Sequence, residues 1–166
     1  MKISVIGAGS WGTTLAILLA EKGHHVKLWC RREELAGEIK SKRENAQYLP
    51  GVKIPDNLMT EHSIENALED SEIIFNVVPS EFARITLKSI RPYYNNQIIV
   101  SATKGMEHST SKRMSQIIED ELPNAKIAVL SGPNLAEEVS RKMPTASVVA
   151  SGDEKTSNTV ADCLAA

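Results

Sequence analysis

The chain has 166 residues, 42% hydrophobic and 24% charged, which fits one compact globular domain of common size. A formal net charge of -2 and a pI near 6.1 exclude a global basic field that would favour nucleic acid or an anionic membrane surface. The opening MKISVIGAG passes from one lysine straight into a strand and a glycine turn, unlike a signal peptide, and no apolar run reaches the roughly 18 residues of a membrane span. The expectation is a cytoplasmic protein with no nucleic-acid partner and no membrane insertion, its two cysteines, Cys30 and Cys163, both reduced.

In chain order, residues 2–6 (KISVI) read as a short buried strand and residues 11–22 as a helix with Leu15, Leu18 and Leu19 on one side. HVKLWC, residues 25–30, is the next strand, and a charged helix follows over about 32–40. Residues 43–60 carry two prolines and a glycine and read as a loop with little regular structure. Ser63 can cap a short helix over 64–69. IIFNVV, 73–78, is a buried strand ended by Pro79. Ser80 can cap the following helix, whose face reads as Phe82, Ile85, Ser89 and Ile90. Residues 97–103 form the fourth strand, and 111–121 a helix with Met114, Ile117 and Ile118 at core spacing. Residues 126–132 are a fifth strand, about 134–139 a short helix and 145–151 a sixth strand. A last helix runs from about 153 to the end.

Short apolar, β-branched strands alternating with helices predict an α/β domain: a doubly wound, mostly parallel Rossmann-type sheet with helices on both faces. In such a sheet the ligand crevice lies at the carboxyl ends of the strands. The residues with chemical potential in this chain fall at those ends.

GAGSWG, residues 7–12, follows the first strand and opens the first helix. Gly7 permits the tight turn, Gly9 lets backbone approach a pyrophosphate, and Gly12 lets helix and strand pack closely. The helix N-terminus offers N–H groups and a positive dipole end, with Ser10 and Trp11 bordering the ligand. Trp11 can equally be a packing residue. The second strand ends in Arg31 and Arg32, where an NAD site often has an acid. Two guanidinium groups can hold a 2′-phosphate, which fits NADP. One can instead stack on adenine, which leaves NAD open, or both can belong to a solvated cluster at a helix start. The VVPSE stretch, 77–81, can pass beside the nicotinamide. Lys104, in SATKG, can bind a substrate hydroxyl or phosphate, steady charge on a reacting carbonyl oxygen, or be an exposed loop lysine. In SGPNLAEEV, Gly132 and Pro133 shape a turn. Asn134 can cap the next helix, with Glu137 closing a capping box. The four histidines show no ligand spacing, so no metal site is predicted.

GAGSWGTTLA, the NAQYLPGVKIPDNL loop, NVVPS, ATKG and LSGPNLAEEV occur in an order and spacing that resemble the N-terminal domain of bacterial NAD(P)-dependent sn-glycerol-3-phosphate dehydrogenases. The resemblance covers most of residues 1–151. It implies a chain that is the nucleotide-binding half of an enzyme interconverting dihydroxyacetone phosphate and sn-glycerol 3-phosphate with NAD or NADP. It implies that Ser10, Trp11, Arg31, Arg32 and Ala136 contact the cofactor, that Lys104 touches cofactor and substrate, and that Gly132 and Asn134 lie on the substrate side. Leu135 stands where the family commonly has Phe. The family's general acid/base lysine lies in a second, helical domain, within a GxxKN-type motif that these residues do not contain. The expectation is therefore a fragment inactive alone, with a homodimer left open for the full-length enzyme. The alternatives are a related two-domain NAD(P)-dependent reductase, against which the YLPG loop and SGPN turn argue, and a non-catalytic dinucleotide-sensing domain.

Overall fold

The computed structural model describes residues 1–165. Strand β1 (Lys2–Ile6) runs into helix α1 (Ser10–Glu21), and the chain returns through β2 (His25–Trp29) and α2 (Glu33–Lys42). β3 (Glu44–Asn45) and β4 (Leu49–Lys53) form a separate antiparallel ribbon before β5 (Leu58–Glu61). Next come α3 (Ile64–Leu68), β6 (Ile73–Asn76), α4 (Ser80–Ile90), a 3-10 turn (Arg91–Tyr93) and β7 (Ile98–Ser101). The chain closes with α5 (Met114–Glu121), β8 (Lys126–Ser131), α6 (Ala136–Ser140), β9 (Val148–Ser151) and α7 (Glu154–Leu164).

Among the described residues the main sheet has seven strands in the order β5-β2-β1-β6-β7-β8-β9. Every neighbouring pair is parallel except β8–β9. The expected α/β, doubly wound sheet is present. β1 lies between β2 and β6, so the strand order reverses there, and a crevice opens beyond the carboxyl ends of these strands.

The central strands are apolar on both sides because both faces are covered. On one face, Val5, Phe75 and Val100 meet Leu15 and Leu19 of α1, Leu35 and Ile39 of α2, and Val160 of α7. On the other, Ile6, Ile74 and Ile99 meet Leu68 of α3, Leu87 and Ile90 of α4, and Ile117 and Ile118 of α5. Each such fully buried side chain contributes about 1.5–3 kcal/mol. Ser63 caps α3 as expected, accepting from the Asn66 N–H at 3.3 Å. Cys30 and Cys163 are buried free thiols, pushed up by that burial to about 12 and about 11.

Several expectations are corrected. Residues 43–60 are not an irregular loop: they hold β3, β4 and β5, so the main sheet has seven strands rather than six. Pro50 disguises β4, but a two-stranded ribbon tolerates a missing N–H that an inner strand would not. β5 is four residues long and pairs only with β2, so its signal is short. Ser80 does not cap α4; it is the first helical residue, and Pro79 occupies the cap without a side-chain bond. The buried face of α4 is Ala83, Thr86, Leu87 and Ile90, whereas Phe82, Ile85 and Ser89 are exposed. Both sets have helical spacing, and the polar Thr86 made the true face look weaker. Helix α5 begins at Met114, with the Arg113 N–H donating to Gln116 Oε1 at 3.0 Å.

Candidate functional site

β1 ends at Ile6, and the chain turns through Gly7 to Gly9 into α1. Gly7 adopts φ +121°, and a Cβ there would lie 3.0 Å from the Val77 carbonyl oxygen. A Cβ on Gly12 would lie 1.8 Å from the Gly7 carbonyl oxygen, so the turn and the first helical turn fold directly onto each other. Gly9 differs: its Cβ position has no neighbour within 4 Å. Gly9 is also the N-cap of α1, with no side chain bonded to the first-turn N–H groups. An open cradle, which a Cβ would fill, thus lies before an uncapped helix N-terminus. Donors and dipole together suit a phosphate there.

A cavity of about 880 Å³ opens over this turn, a size typical of small-molecule sites. Gly7, Gly9, Ser10, Trp11 and Gly12 border it from the turn, and Arg31 and Arg32 from the end of β2. Lys104 borders it from the loop after β7, and Asn134 and Ala136 from the approach to α6. Gly132 does not border it. Its Cβ position lies 2.6 Å from the Ala146 carbonyl oxygen and 2.9 Å from Asn134 Oδ1, so Gly132 packs behind Asn134. Trp11 both borders the cavity and packs against the core.

At the β2 end, the Arg31 guanidinium carbon lies 5.7 Å from the centre of the Phe82 ring, a cation–π distance. Arg32 donates to Gln47 Oε1 on the ribbon, and Tyr48 beside it also borders the cavity. Phe82 and Ile85, read from sequence as helix core, are cavity residues instead. The clue was their place in the first turns of a helix that follows a strand's carboxyl end. Val77, Val78 and Pro79 line the cavity as well, where the VVPSE stretch was expected to pass.

Lys104 donates through Nζ to the Asn134 carbonyl oxygen at 2.9 Å, which leaves two ammonium donors for a ligand. Asn134 is not a helix cap as expected; Leu135 occupies that position in α6. The Asn134 side chain instead donates to the Ala146 carbonyl oxygen (3.0 Å) and to Ser147 Oγ (2.9 Å). These long-range partners hold the SGPN turn against the start of β9, a use that local capping rules do not anticipate. Thr14 of α1 donates to the Ala136 carbonyl oxygen at 3.3 Å, so α1 and the start of α6 are tied to each other.

The loop carrying Lys104 is fastened to α4. Arg84 donates to both oxygens of Glu107, at 2.7 and 2.9 Å, and further to Glu121 (2.6 Å) and Asp120 (3.0 Å). The Arg84 guanidinium, helped by Thr110, holds the Glu107 carboxyl down from 4.5 to about 2. Because this carboxyl is lowered in the folded chain, its stabilisation is complete above about 4.5 and disappears as pH falls towards about 2. Glu107→Gln is expected to lower the melting temperature at neutral pH and to flatten its decline between those two values. Melting temperature measured against pH checks this, and parallel curves for variant and wild type would contradict it.

Among the described residues no group of three or more His, Cys, Asp and Glu is placed to hold a metal. Nor is any described helix long and apolar enough to cross a membrane.

A parallel sheet that reverses its order beside a glycine turn, with an uncapped helix start facing a cavity, defines a dinucleotide-binding domain of the Rossmann class. The particular family is equally plain. The model of the NAD-dependent glycerol-3-phosphate dehydrogenase N-terminus matches residues 2–157, and the chain belongs to that family. It is 48% identical over 168 aligned residues to a glycerol-3-phosphate dehydrogenase (NAD(P)+) of Chlorobium phaeobacteroides strain BS1, covering 99% of this chain and 50% of that protein. Its identity to the Chlorobium limicola protein of the same name is 44% over 164 residues, 96% of this chain and 49% of the other. A crystal structure of glycerol-3-phosphate dehydrogenase from Coxiella burnetii superposes with a TM-score of 0.94 at 33% identity, covering 99% of this chain and 51% of that one. The chain thus spans about half the length of these relatives.

Proposed function

We propose that the chain is the nucleotide-binding half of an oxidoreductase that interconverts dihydroxyacetone phosphate and sn-glycerol 3-phosphate with NAD(P). The observation that carries this reading is the open cradle at Gly9, set before the uncapped start of α1 in the same cavity as Lys104. Membership of the dehydrogenase family supports the choice of reaction.

The bound nicotinamide would supply a hydride to C2 of the ketone. The chain's own residues have positioning and electrostatic roles. The Gly7–Gly12 turn and the α1 N-terminus hold the pyrophosphate, with Ser10, Trp11 and Ala136 beside it. Arg31, over Phe82, flanks the adenine, and Arg32 takes the 2′-phosphate of NADP. Lys104 uses its free donors to orient the substrate and to steady negative charge on the carbonyl oxygen. Asn134 shapes the substrate side, with Gly132 behind it. The proton for the developing alkoxide comes from a lysine of a further, helical domain of the parent protein.

Titration of NADPH and NADH into wild type and Arg32→Ala tests this reading. Both dinucleotides are expected to saturate one site in the wild type. Loss of Arg32 weakens NADPH roughly 10- to 100-fold, the range of a charged hydrogen bond, and leaves NADH nearly unchanged. Equal affinities in both proteins would remove the 2′-phosphate role, and no saturable binding of either dinucleotide would overturn the function.

A further inference from the structure

Asn45 sits in β3, nowhere in the cavity lining, and is 1% exposed. Its Nδ2 donates to the Ala8 carbonyl oxygen at 3.0 Å and to Thr13 Oγ1 at 2.8 Å. Those two residues flank the stretch from Gly9 to Gly12. The amide orientation is fixed by chemistry, since a carbonyl oxygen such as that of Ala8 can only accept. Among the described residues the Asn45 Oδ1 is buried with no partner. Burying an unpaired amide oxygen is unfavourable, so the residue is costly except for what its two N–H donors do.

What they do follows from the planarity of the peptide bond. In a trans peptide, the carbonyl of one residue and the N–H of the next point in opposite directions. Anchoring the Ala8 carbonyl on Asn45 therefore turns the Gly9 N–H away from Asn45. Gly9 borders the cavity and Asn45 does not. Thr13 anchors the other end, and its own N–H donates to the Gly9 carbonyl oxygen at 2.9 Å.

The ribbon that delivers Asn45 is itself fastened. Asn45 pairs with Leu49, and the Tyr48 N–H donates to the Asn45 carbonyl oxygen at 3.2 Å. Arg43 reaches the Leu58 carbonyl oxygen at 3.2 Å and that of Pro55, which ties the ribbon's flanks to the start of β5. Asn45 is thus held from its own side, and its two donors reach the glycine turn from a fixed position.

We infer that Asn45 is a positioning residue for phosphate binding: it fixes the Ala8–Gly9 peptide plane and the first turn of α1 so that their N–H groups meet the cofactor's pyrophosphate. This inference rests on the dinucleotide reading above and extends it to a residue that touches no ligand.

The test is binding to the chain itself, with two ligands and three proteins. NADPH carries the pyrophosphate; adenosine 2′-monophosphate carries only the adenosine end that faces Arg31 and Arg32. Asn45→Leu keeps the approximate size of the side chain, removes both donors and introduces no charge. It is expected to weaken NADPH about tenfold, the scale of one to two lost hydrogen bonds, and to leave adenosine 2′-monophosphate unchanged. Thr13→Val, close in volume, removes one acceptor and is expected to act in the same direction by a smaller factor; it carries the test if Asn45→Leu does not fold. Equal weakening of both ligands with a lower melting temperature would show a role in folding only and overturn the inference. Unchanged NADPH affinity in the variants would also overturn it. Failure of wild type to bind NADPH would instead remove the dinucleotide reading, and the inference with it.

Discussion

Gly12→Ala is expected to lower the melting temperature by about 6–12 °C, because the overpacking lies near the ~3 kcal/mol upper end and a domain of this size loses a few degrees per kcal/mol. The new Cβ would sit 1.8 Å from the Gly7 carbonyl oxygen, and that neighbour is backbone. No rotamer change relieves the clash; the turn and α1 must move apart. Dinucleotide binding should disappear with the turn. Gly9→Ala supplies the contrast. Its backbone, at φ -73°, suits any residue, and its Cβ position has no neighbour within 4 Å. This variant should melt like the wild type yet bind dinucleotide weakly, because the methyl occupies the cradle. Thermal melts and titrations of the two variants check the pair. A Gly12→Ala variant that melts like the wild type would contradict the close-packing account.

The second large effect concerns turnover. In the full-length enzyme, Lys104→Met should lower kcat/KM for dihydroxyacetone phosphate by about 10²–10³, the scale of losing one preorganised donor to developing charge. The substitution keeps the apolar stem and removes the ammonium, so the loss reports charge and hydrogen bonding. The chain alone is expected to show no turnover of dihydroxyacetone phosphate, with or without Lys104, because the proposed proton donor is a lysine of a further domain. Steady-state kinetics on the full-length protein decide the first point. A change below about threefold would leave Lys104 as the exposed loop lysine of the plain reading, since catalytic donors contribute far more.

Much of the frame was legible because it rests on local pattern. Short runs such as IIFN have no polar face, and GAGSWG joins a strand to a helix at the spacing that close packing requires. The cavity walls at Gly7 to Gly12, Arg31, Arg32 and Lys104 were legible for the same reason, since each lies at a strand end. What was missed depends on partners distant in sequence. Asn134 looked like a cap because Glu137 follows it, yet its side chain bonds Ala146 and Ser147. Phe82 and Ile85 have the spacing of a buried face, and only the packed helix shows that Ala83 and Leu87 turn inward instead. The ribbon was hidden by Pro50 and Gly51, which read as breakers although a two-stranded ribbon accommodates them, and β5 by its four-residue length just after Pro55. Asn45 reaches the glycine turn across 37 residues, and no local rule predicts that bond.

The glycine turn of this chain is proposed to receive the pyrophosphate of a dinucleotide. The most direct measurement is an amide-resolved NMR titration of the chain with NADPH. One saturable site is expected, with the largest shifts on the amides of Gly9 to Gly12 and smaller ones at Arg31, Arg32 and Lys104. Saturable binding whose shifts lie elsewhere, with the Gly9 to Gly12 amides unmoved, would contradict it.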